Sequence, residues 1–322
     1  MEAEIIATHG LAARFVQLFV NRRAYNIQSP KPHRETGRHY YFRPRKGKDG
    51  SLAVLTPAIV RQHLEGRVTI AIYAINPQTQ RCKWVAIDAD YEDALSDLLK
   101  LQWELKQDGV EAALEKSRRG GHLWIFAQRP LLARDCRVYI YNLAKRLRVP
   151  VKASGLADGI EVFPRQDRVE ENEFGNALRA PLGVHRGAAK RFWFYGADYS
   201  LVKQMAYLER LKRITEEEMG GFVSGLTMPE EFERKPKVEL PPYDPNRREF
   251  RILDHVRVRR KLGRDYWTRC PSCAQQGRDR SGDNLAISIQ DPRRYRCWAG
   301  CTREMIRAAL GCPVKKGMVT RP

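Results

Sequence analysis

Long apolar runs are what this chain of 322 residues most clearly lacks, and none approaches the ~18 consecutive apolar residues of a membrane-spanning helix. A basic n-region is missing too. Glu2 and Glu4 stand where a secretory leader carries Lys or Arg, so a cytoplasmic location and no membrane partner are the expectation. Acidic residues are in deficit, 38 Asp and Glu against 58 Lys and Arg, and the net charge of +20 points to a polyanionic partner. Cysteines are few and odd in number: Cys82, Cys136, Cys270, Cys273, Cys297, Cys301 and Cys312. That count, with its close C-terminal pairs, argues against a disulfide framework and leaves Cys82 and Cys136 as ordinary buried thiols.

What is present is unevenly spread. Residues 246–322 carry 19 Lys and Arg against 7 Asp and Glu, so less than a quarter of the chain holds +12 of the +20. Apolar spacing predicts an amphipathic helix over Ile5–Arg22, and Thr56-Pro57 reads as the N-cap and first residue of a helix running to His63. Two apolar segments, Val68–Ala74 and Lys83–Ile87, read as a hairpin turning at Asn76-Pro77. A helix over Asp93–Asp108, strands at Ala112–Glu115 and His122–Phe126, a mainly helical stretch over Pro130–Leu147 and a short strand at Ile160–Phe163 follow. Strand, helix, strand, strand, helix, strand is the order of a split β-α-β half, so the fold class is α/β. A further helix is expected over Leu201–Glu218. The basic turn Arg45–Gly50 and the Pro-, Lys- and Arg-rich residues 236–248 read as a hairpin tip and a linker.

The run Trp84-Val85-Ala86-Ile87-Asp88-Ala89-Asp90 ends an apolar strand in two carboxylates two residues apart, which can converge on one side and hold a hard divalent cation. The same pattern also arises as a helix N-cap beside a solvated Asp. His122 begins another strand after Gly120-Gly121, and Glu161 lies in a third. In a split β-α-β sheet these strands are neighbours. Three carboxylates and a histidine on one face would suit two-metal nucleotidyl transfer, although a histidine at a strand start is also a common satisfied core residue.

In their order, an Asp-x-Asp pair, a Gly-rich opening that ends in His, and a strand acid followed by Phe-Pro resemble the three motifs of archaeo-eukaryotic primases. The likeness is strongest to the primase-polymerase branch, of the CRISPR-associated or conflict-system type, and covers roughly residues 10–200. It implies a primase-type catalytic core with an N-terminal α/β unit and a ferredoxin/RRM-like half. It also implies that Asp88, Asp90 and Glu161 are the catalytic residues and bind two Mg²⁺ or Mn²⁺ ions, while His122 contacts nucleotide phosphate. Ser117, Arg118 and Arg119 precede His122 in a loop whose hydroxyl, amides and guanidiniums suit a triphosphate. Leu178–Gly187 resembles the family's basic segment beyond the third motif, which makes Arg179 and His185 further nucleotide-binding candidates.

Cys270-Pro-Ser-Cys273 and Cys297-Trp-Ala-Gly-Cys301 have the spacing of a structural Zn²⁺ site, with strands expected at Leu285–Ile289 and Tyr295–Cys297 between turns that carry the ligands. Cys312 is out of register, and His255 is a weaker substitute ligand. The module resembles the zinc ribbon of bacterial primases, departing from it at the second ligand and in the final spacing. Arg293, Arg294 and Arg296, interleaved with Tyr295 and Trp298, suit phosphates and stacked bases.

The expected organisation is a primase-polymerase catalytic domain over 1–235, a linker over 236–248 and a basic zinc-ribbon domain over 249–322. The leading function is a DNA primase-polymerase that starts and extends strands on single-stranded DNA from dNTPs or NTPs. CRISPR adaptation or replication proteins are candidate partners. A two-metal nuclease using the same carboxylates and a non-catalytic single-stranded DNA-binding factor are the alternatives.

Overall fold

The structure is a computed structural model and describes residues 8–32, 37, 39–46, 51–152, 158–233, 250–277, 279 and 281–313. Residues 47–50 of the expected hairpin tip and the expected linker at 236–248 lie outside the described residues. The chain divides into two compact units, Met1–Arg234 and Lys235–Pro322.

The first unit opens with α1 (His9–Phe19), where the Thr8 hydroxyl accepts the Leu11 amide and Leu11, Phe15, Leu18 and Phe19 form a buried face. Short strands β1 (Tyr25–Gln28) and β2 (Tyr41–Phe42) follow, then a small ladder of β3 (Arg45–Lys46) with β4 (Ser51–Leu52). Helix α2 (Pro57–Leu64) starts at Pro57 with Thr56 as its cap. Next come β5 (Ile70–Tyr73), β6 (Arg81–Ala89), α3 (Ala94–Gln107), β7 (Ala112–Lys116), β8 (Gly121–Leu132), α4 (Ala133–Arg146) and β9 (Glu161–Phe163). The unit continues with β10 (Ala177–Arg179), the pair β11 (Val184–His185) and β12 (Lys190–Arg191), α5 (Leu201–Arg210) and α6 (Glu216–Val223).

Two four-stranded sheets organise these elements, ordered β10-β5-β1-β2 and β7-β8-β6-β9. The second, built from the run β6-α3-β7-β8-α4-β9 with every neighbour antiparallel, is the ferredoxin-like half. Alternation along β6 sends Trp84 and Ala86 into a core shared with α1, α2 and the first sheet, while Val85, Ile87 and Ala89 enter a second core with α3 and α4. Asp88 falls on the Trp84 and Ala86 face, at the end where β6 runs out.

Three expectations are corrected. The segments around Asn76-Pro77 do not form a hairpin: only Asn76 and Arg81 bridge, after which β5 pairs with β1 and β10 while β6 pairs with β8 and β9. Each strand has both edges occupied elsewhere, so none remains for the other. Pro130 lies in β8, not in a helix, at the point where the β6–β8 register slips between Cys82 and Trp84, a bulge that tolerates a residue without an amide hydrogen. The helix expected over Leu201–Glu218 is broken in two. Ile214 bridges Ala127, and a capping box between Thr215 and Glu218 starts α6 afresh.

The second unit is a four-stranded antiparallel sheet of β13 (Arg260–Leu262), β14 (Asp265–Thr268), β15 (Leu285–Ser288) and β16 (Tyr295–Cys297), with short helices α7 (Pro271–Gln275) and α8 (Arg303–Ala309). Among the described residues its fully buried core is small: Ile252, Leu285, Ile287 and Ile306 around Cys270, Cys273, Cys297 and Cys301. No helix of the described residues is long and apolar enough to cross a membrane.

Candidate active site and cysteine cluster

Register places four ionisable residues in one row across the ferredoxin-like sheet. Glu115 on β7 pairs with His122 on β8, His122 pairs with Asp88 on β6, and Asp88 pairs with Glu161 on β9. Directly paired residues project to the same face, so the row is a continuous strip of side chains. His122 lies at its centre, with Nε2 3.3 Å from Asp88 Oδ1 and Nδ1 2.7 Å from Glu115 Oε2. Glu115 is wholly buried, accepts the Trp124 indole N–H at 3.1 Å, and receives the Arg179 guanidinium at 2.7 Å.

The electrostatics of the strip follow from that contact order. Burial alone would neutralise Glu115, but Arg179 and His122 outweigh it and hold its carboxyl down to about 2. Burial also works against His122⁺, yet Glu115 and Asp88 on either side lift the imidazole to about 9. At Asp88 burial is again overcome, by His122, Lys152 and Arg179, and the carboxyl falls below its ordinary range. His122 is therefore a cation at neutral pH, clamped between two anions, with Asp88 turned toward the open end of the sheet.

The remaining predicted residues surround this strip. Asp90 follows the last residue of β6, and both of its oxygens meet the Arg119 guanidinium, with Nε 2.7 Å from Oδ1. Glu161 is held by Lys152 Nζ at 3.0 Å and Arg165 at 2.8 Å. Asp88, Asp90 and Glu161 thus share one end of the sheet, but their oxygens are not gathered into a cluster. Among the described residues, the four cysteines are the one set of three or more ligand groups within 4.8 Å of one another. The carboxylates fit divalent metal by their hard oxygen donors, by the direct pairing of Asp88 with Glu161 and by their partial exposure; occupation would require Arg119, Lys152 and Arg165 to turn aside.

Ser117 and Gly120 close the loop ahead of His122: the Ser117 amide donates to the Gly120 carbonyl at 2.9 Å and the Ser117 hydroxyl accepts the Gly120 amide at 3.2 Å. A Cβ at Gly120 would lie 2.1 Å from the Ala89 carbonyl, so only glycine lets this loop approach the carboxylate strand. Arg118 and Arg119 are exposed. His185 accepts the Ala188 amide at Nδ1, and burial, aided by Arg179, keeps it below its ordinary value. Arg179, expected at the triphosphate, is instead 8 % exposed, with its guanidinium committed to Glu115 and lying 5.9 Å from the Phe192 ring.

Glu115, Lys152 and Arg165 were not legible as site residues. The signal for Glu115 was a single charge in the otherwise apolar Ala112-Ala113-Leu114, two positions before the Ser117 loop. Glu115→Gln is expected to slow turnover about 10–100-fold, as loss of a partner that orients a ligand-binding group does. In the metal-free protein His122 would then titrate below 9 by NMR, since one of the two carboxylates that raise it has lost its charge; an unchanged titration would contradict this account of the strip. Glu115→Ala, which strands buried Arg179, is expected to cost about 3–5 kcal/mol in chemical denaturation. The stability supplied by His122 is complete below its unfolded value near 6.5 and fades as pH rises through about 9. That supplied by Glu115 is complete above 4.5 and fades as pH falls toward about 2.

In the second unit Cys270 caps α7 with Pro271 at its first position, and its amide donates to Asp279 Oδ2 at 2.6 Å. Cys273 Sγ lies 3.5 Å from Cys297 Sγ and 3.3 Å from Cys301 Sγ, and all four sulfurs are buried. Tetrahedral Zn–S bonds of about 2.3 Å place sulfurs about 3.8 Å apart, so the donor set and its closeness fit a zinc site. Burial pushes the Cys270 thiol up, and that of Cys273 to about 11. Cys312 and His255 stand apart, with Sγ and Nε2 3.9 Å from each other. Trp298 is exposed, parallel to Trp267 at 6.1 Å, and Arg296 lies 4.9 Å over it; Arg303 lies 5.4 Å over the Tyr295 ring. Arg293 and Arg294 both approach Asp291.

The acid and histidine strip lies on a ferredoxin-like sheet, and the family matched by the chain makes the protein a nucleotidyltransferase-type enzyme. The family model for the archaeo-eukaryotic primase domain of TOTE conflict systems matches residues 21–222, and the chain belongs to this family. Of the two types the sequence resembled, the conflict-system one is matched. Among solved structures, the chain is similar to the polymerase domain of Mycobacterium tuberculosis Ligase D in complex with DNA, at 13% identity over 67% of this chain and 86% of that one, with a TM-score of 0.35. It is also similar to the catalytic domain of primase RepB′ in complex with initiator DNA, at 11% identity over 62% and 94%, with a TM-score of 0.31. No curated protein matches the chain.

Proposed function

We propose that this protein is a DNA primase-polymerase that initiates and extends strands on single-stranded DNA, with residues 1–235 as its catalytic domain and 249–322 as a basic zinc-ribbon domain. The observation that carries the reading is the row Glu115, His122, Asp88, Glu161, in which a buried anion holds a cationic imidazole against a carboxylate at the open end of the sheet. Asp88, Asp90 and Glu161 are the residues that would hold two Mg²⁺ or Mn²⁺ ions. Such ions neutralise charge that develops on the transferred phosphoryl group and lower the pKa of the attacking hydroxyl.

The chain's own residues supply the rest. His122⁺ offers a hydrogen bond to a phosphate oxygen once its Nε2–H leaves Asp88. Ser117, Arg118 and Arg119 present a hydroxyl, loop amides and two exposed guanidiniums to a dNTP or NTP, and His185 lies on the segment beyond. Arg119, paired with Asp90 here, would exchange that carboxylate for phosphate as metal arrives. Arg179 acts from behind, fixing Glu115. In the second unit Cys270, Cys273, Cys297 and Cys301 would hold one structural Zn²⁺, and the Trp298 and Tyr295 faces with Arg293, Arg294 and Arg296 would meet the template strand by stacking and charge.

The test is incubation with unprimed single-stranded DNA, Mg²⁺ or Mn²⁺ and a γ-labelled nucleotide. Label retained in short products supports initiation. No product on any template, or only shortening of the DNA, overturns the reading.

A further inference from the structure

At the end of the ferredoxin-like sheet where β6 begins, opposite Asp88, a cavity of about 770 Å³ opens between the start of α4, residues 165–168 and residues 223–233. Four arginines line it, Arg134 and Arg137 from α4 and Arg165 and Arg168 from the loop after β9, against the three acids Asp135, Asp167 and Glu233; Met228 and Phe232 are among its apolar residues. The loop after β9 is held to the start of β6 by Gln80, whose side-chain amide donates to the Val169 carbonyl at 3.1 Å and accepts the Val169 amide at 2.9 Å. The cavity is therefore preformed, and its volume is in the range that holds a nucleotide-sized ligand.

Two observations point to an anion. Arg134 and Arg168 are exposed and enter no salt bridge among the described residues. Arg137 is 7 % exposed; one of its terminal nitrogens meets Asp167, but its Nε finds no partner. A buried N–H left unpaired costs about 1–3 kcal/mol, so the Arg137 guanidinium is only partly satisfied by Asp167. The fourth arginine, Arg165, lines the cavity and donates to Glu161 Oε2 at 2.8 Å, so it links the cavity to a carboxylate of the candidate active site.

We propose that the cavity is a second nucleotide site, separate from that at Asp88, with the phosphates among the four arginines and the ring against Met228 and Phe232. Occupancy draws Arg165 toward phosphate and frees Glu161 Oε2, leaving Lys152 as its remaining cation. The binding rests on the cavity alone, whereas the consequence for Glu161 rests on its role proposed above.

The experiment is photo-crosslinking of the full chain with 8-azido-ATP, without added divalent cation, followed by peptide mapping. An adduct within residues 223–233 is expected, retained in Asp88→Ala and reduced at least about tenfold in the double variant Arg134→Ser, Arg168→Ser, whose exposed side chains can be removed without disturbing the core. No adduct in that segment, an adduct that persists in the double variant, or one lost in Asp88→Ala overturns the proposal. Failure of strand synthesis would leave this adduct unchanged, so the two readings fail separately.

Discussion

Replacing Asp88 by Asn is expected to lower nucleotide incorporation by about 10³-fold or more, while single-stranded DNA is retained with little change. Asp88 is the middle carboxylate of the row, paired with both His122 and Glu161. The amide is isosteric and still offers His122 an oxygen at Oδ1, so what is lost is charge. That charge is what would hold a cation and what helps to keep His122 protonated. DNA retention should survive, because residues 246–322 carry +12 of the +20. Single-nucleotide incorporation on a primed template, beside fluorescence anisotropy with labelled DNA, reads both quantities. Incorporation within tenfold of wild type would sink the assignment of Asp88, provided thermal unfolding shows the variant folded.

Zinc removal is expected to unfold the second unit and to abolish the DNA binding proposed for it. Few apolar side chains surround the four cysteines, and a core this small does not fold unaided. Structural zinc sites of this kind supply about 10–16 kcal/mol of apparent binding energy, which is also folding energy. Treatment with a zinc chelator, or Cys273→Ser, should release one equivalent of zinc by elemental analysis. The near-ultraviolet signal of the parallel Trp267 and Trp298 rings should collapse with it. Extension of a primer supplied at saturating concentration should persist, since the carboxylates belong to the other unit. Purified protein without zinc that keeps this signal would contradict the assignment.

Much of the ferredoxin-like half was legible because it is written locally. Strand and helix periods alternate in order, and Asp88, His122 and Glu161 each stand at a strand end. The cysteine cluster was equally open to reading, its spacing being a constraint of metal geometry. What the sequence concealed depends on partners far along the chain. Nothing near Asn76-Pro77 says that β5 and β6 each find two other neighbours, so a turn between apolar runs looked like a hairpin. Arg179 was a candidate for phosphate because Leu178–Gly187 resembles the family's basic segment beyond the third motif. Its burial is set by Glu115, 64 residues earlier, a residue hidden in turn by its apolar neighbours. Lys152 and Arg165 escaped notice for the opposite reason, since charged residues in loops are common and only the fold brings them to Glu161.

The pair Glu115–Arg179 joins a strand of one sheet to a strand of the other. It therefore acts as a check on assembly. A one-residue slip of β10 against β5 would turn Arg179 to the opposite face of its sheet and leave Glu115 a bare buried carboxylate. Misregistered chains, though able to bury much the same apolar area, would carry an electrostatic fault at the place where the reaction is proposed to occur. Correct pairing of the first sheet and a competent second sheet are thus selected together during folding.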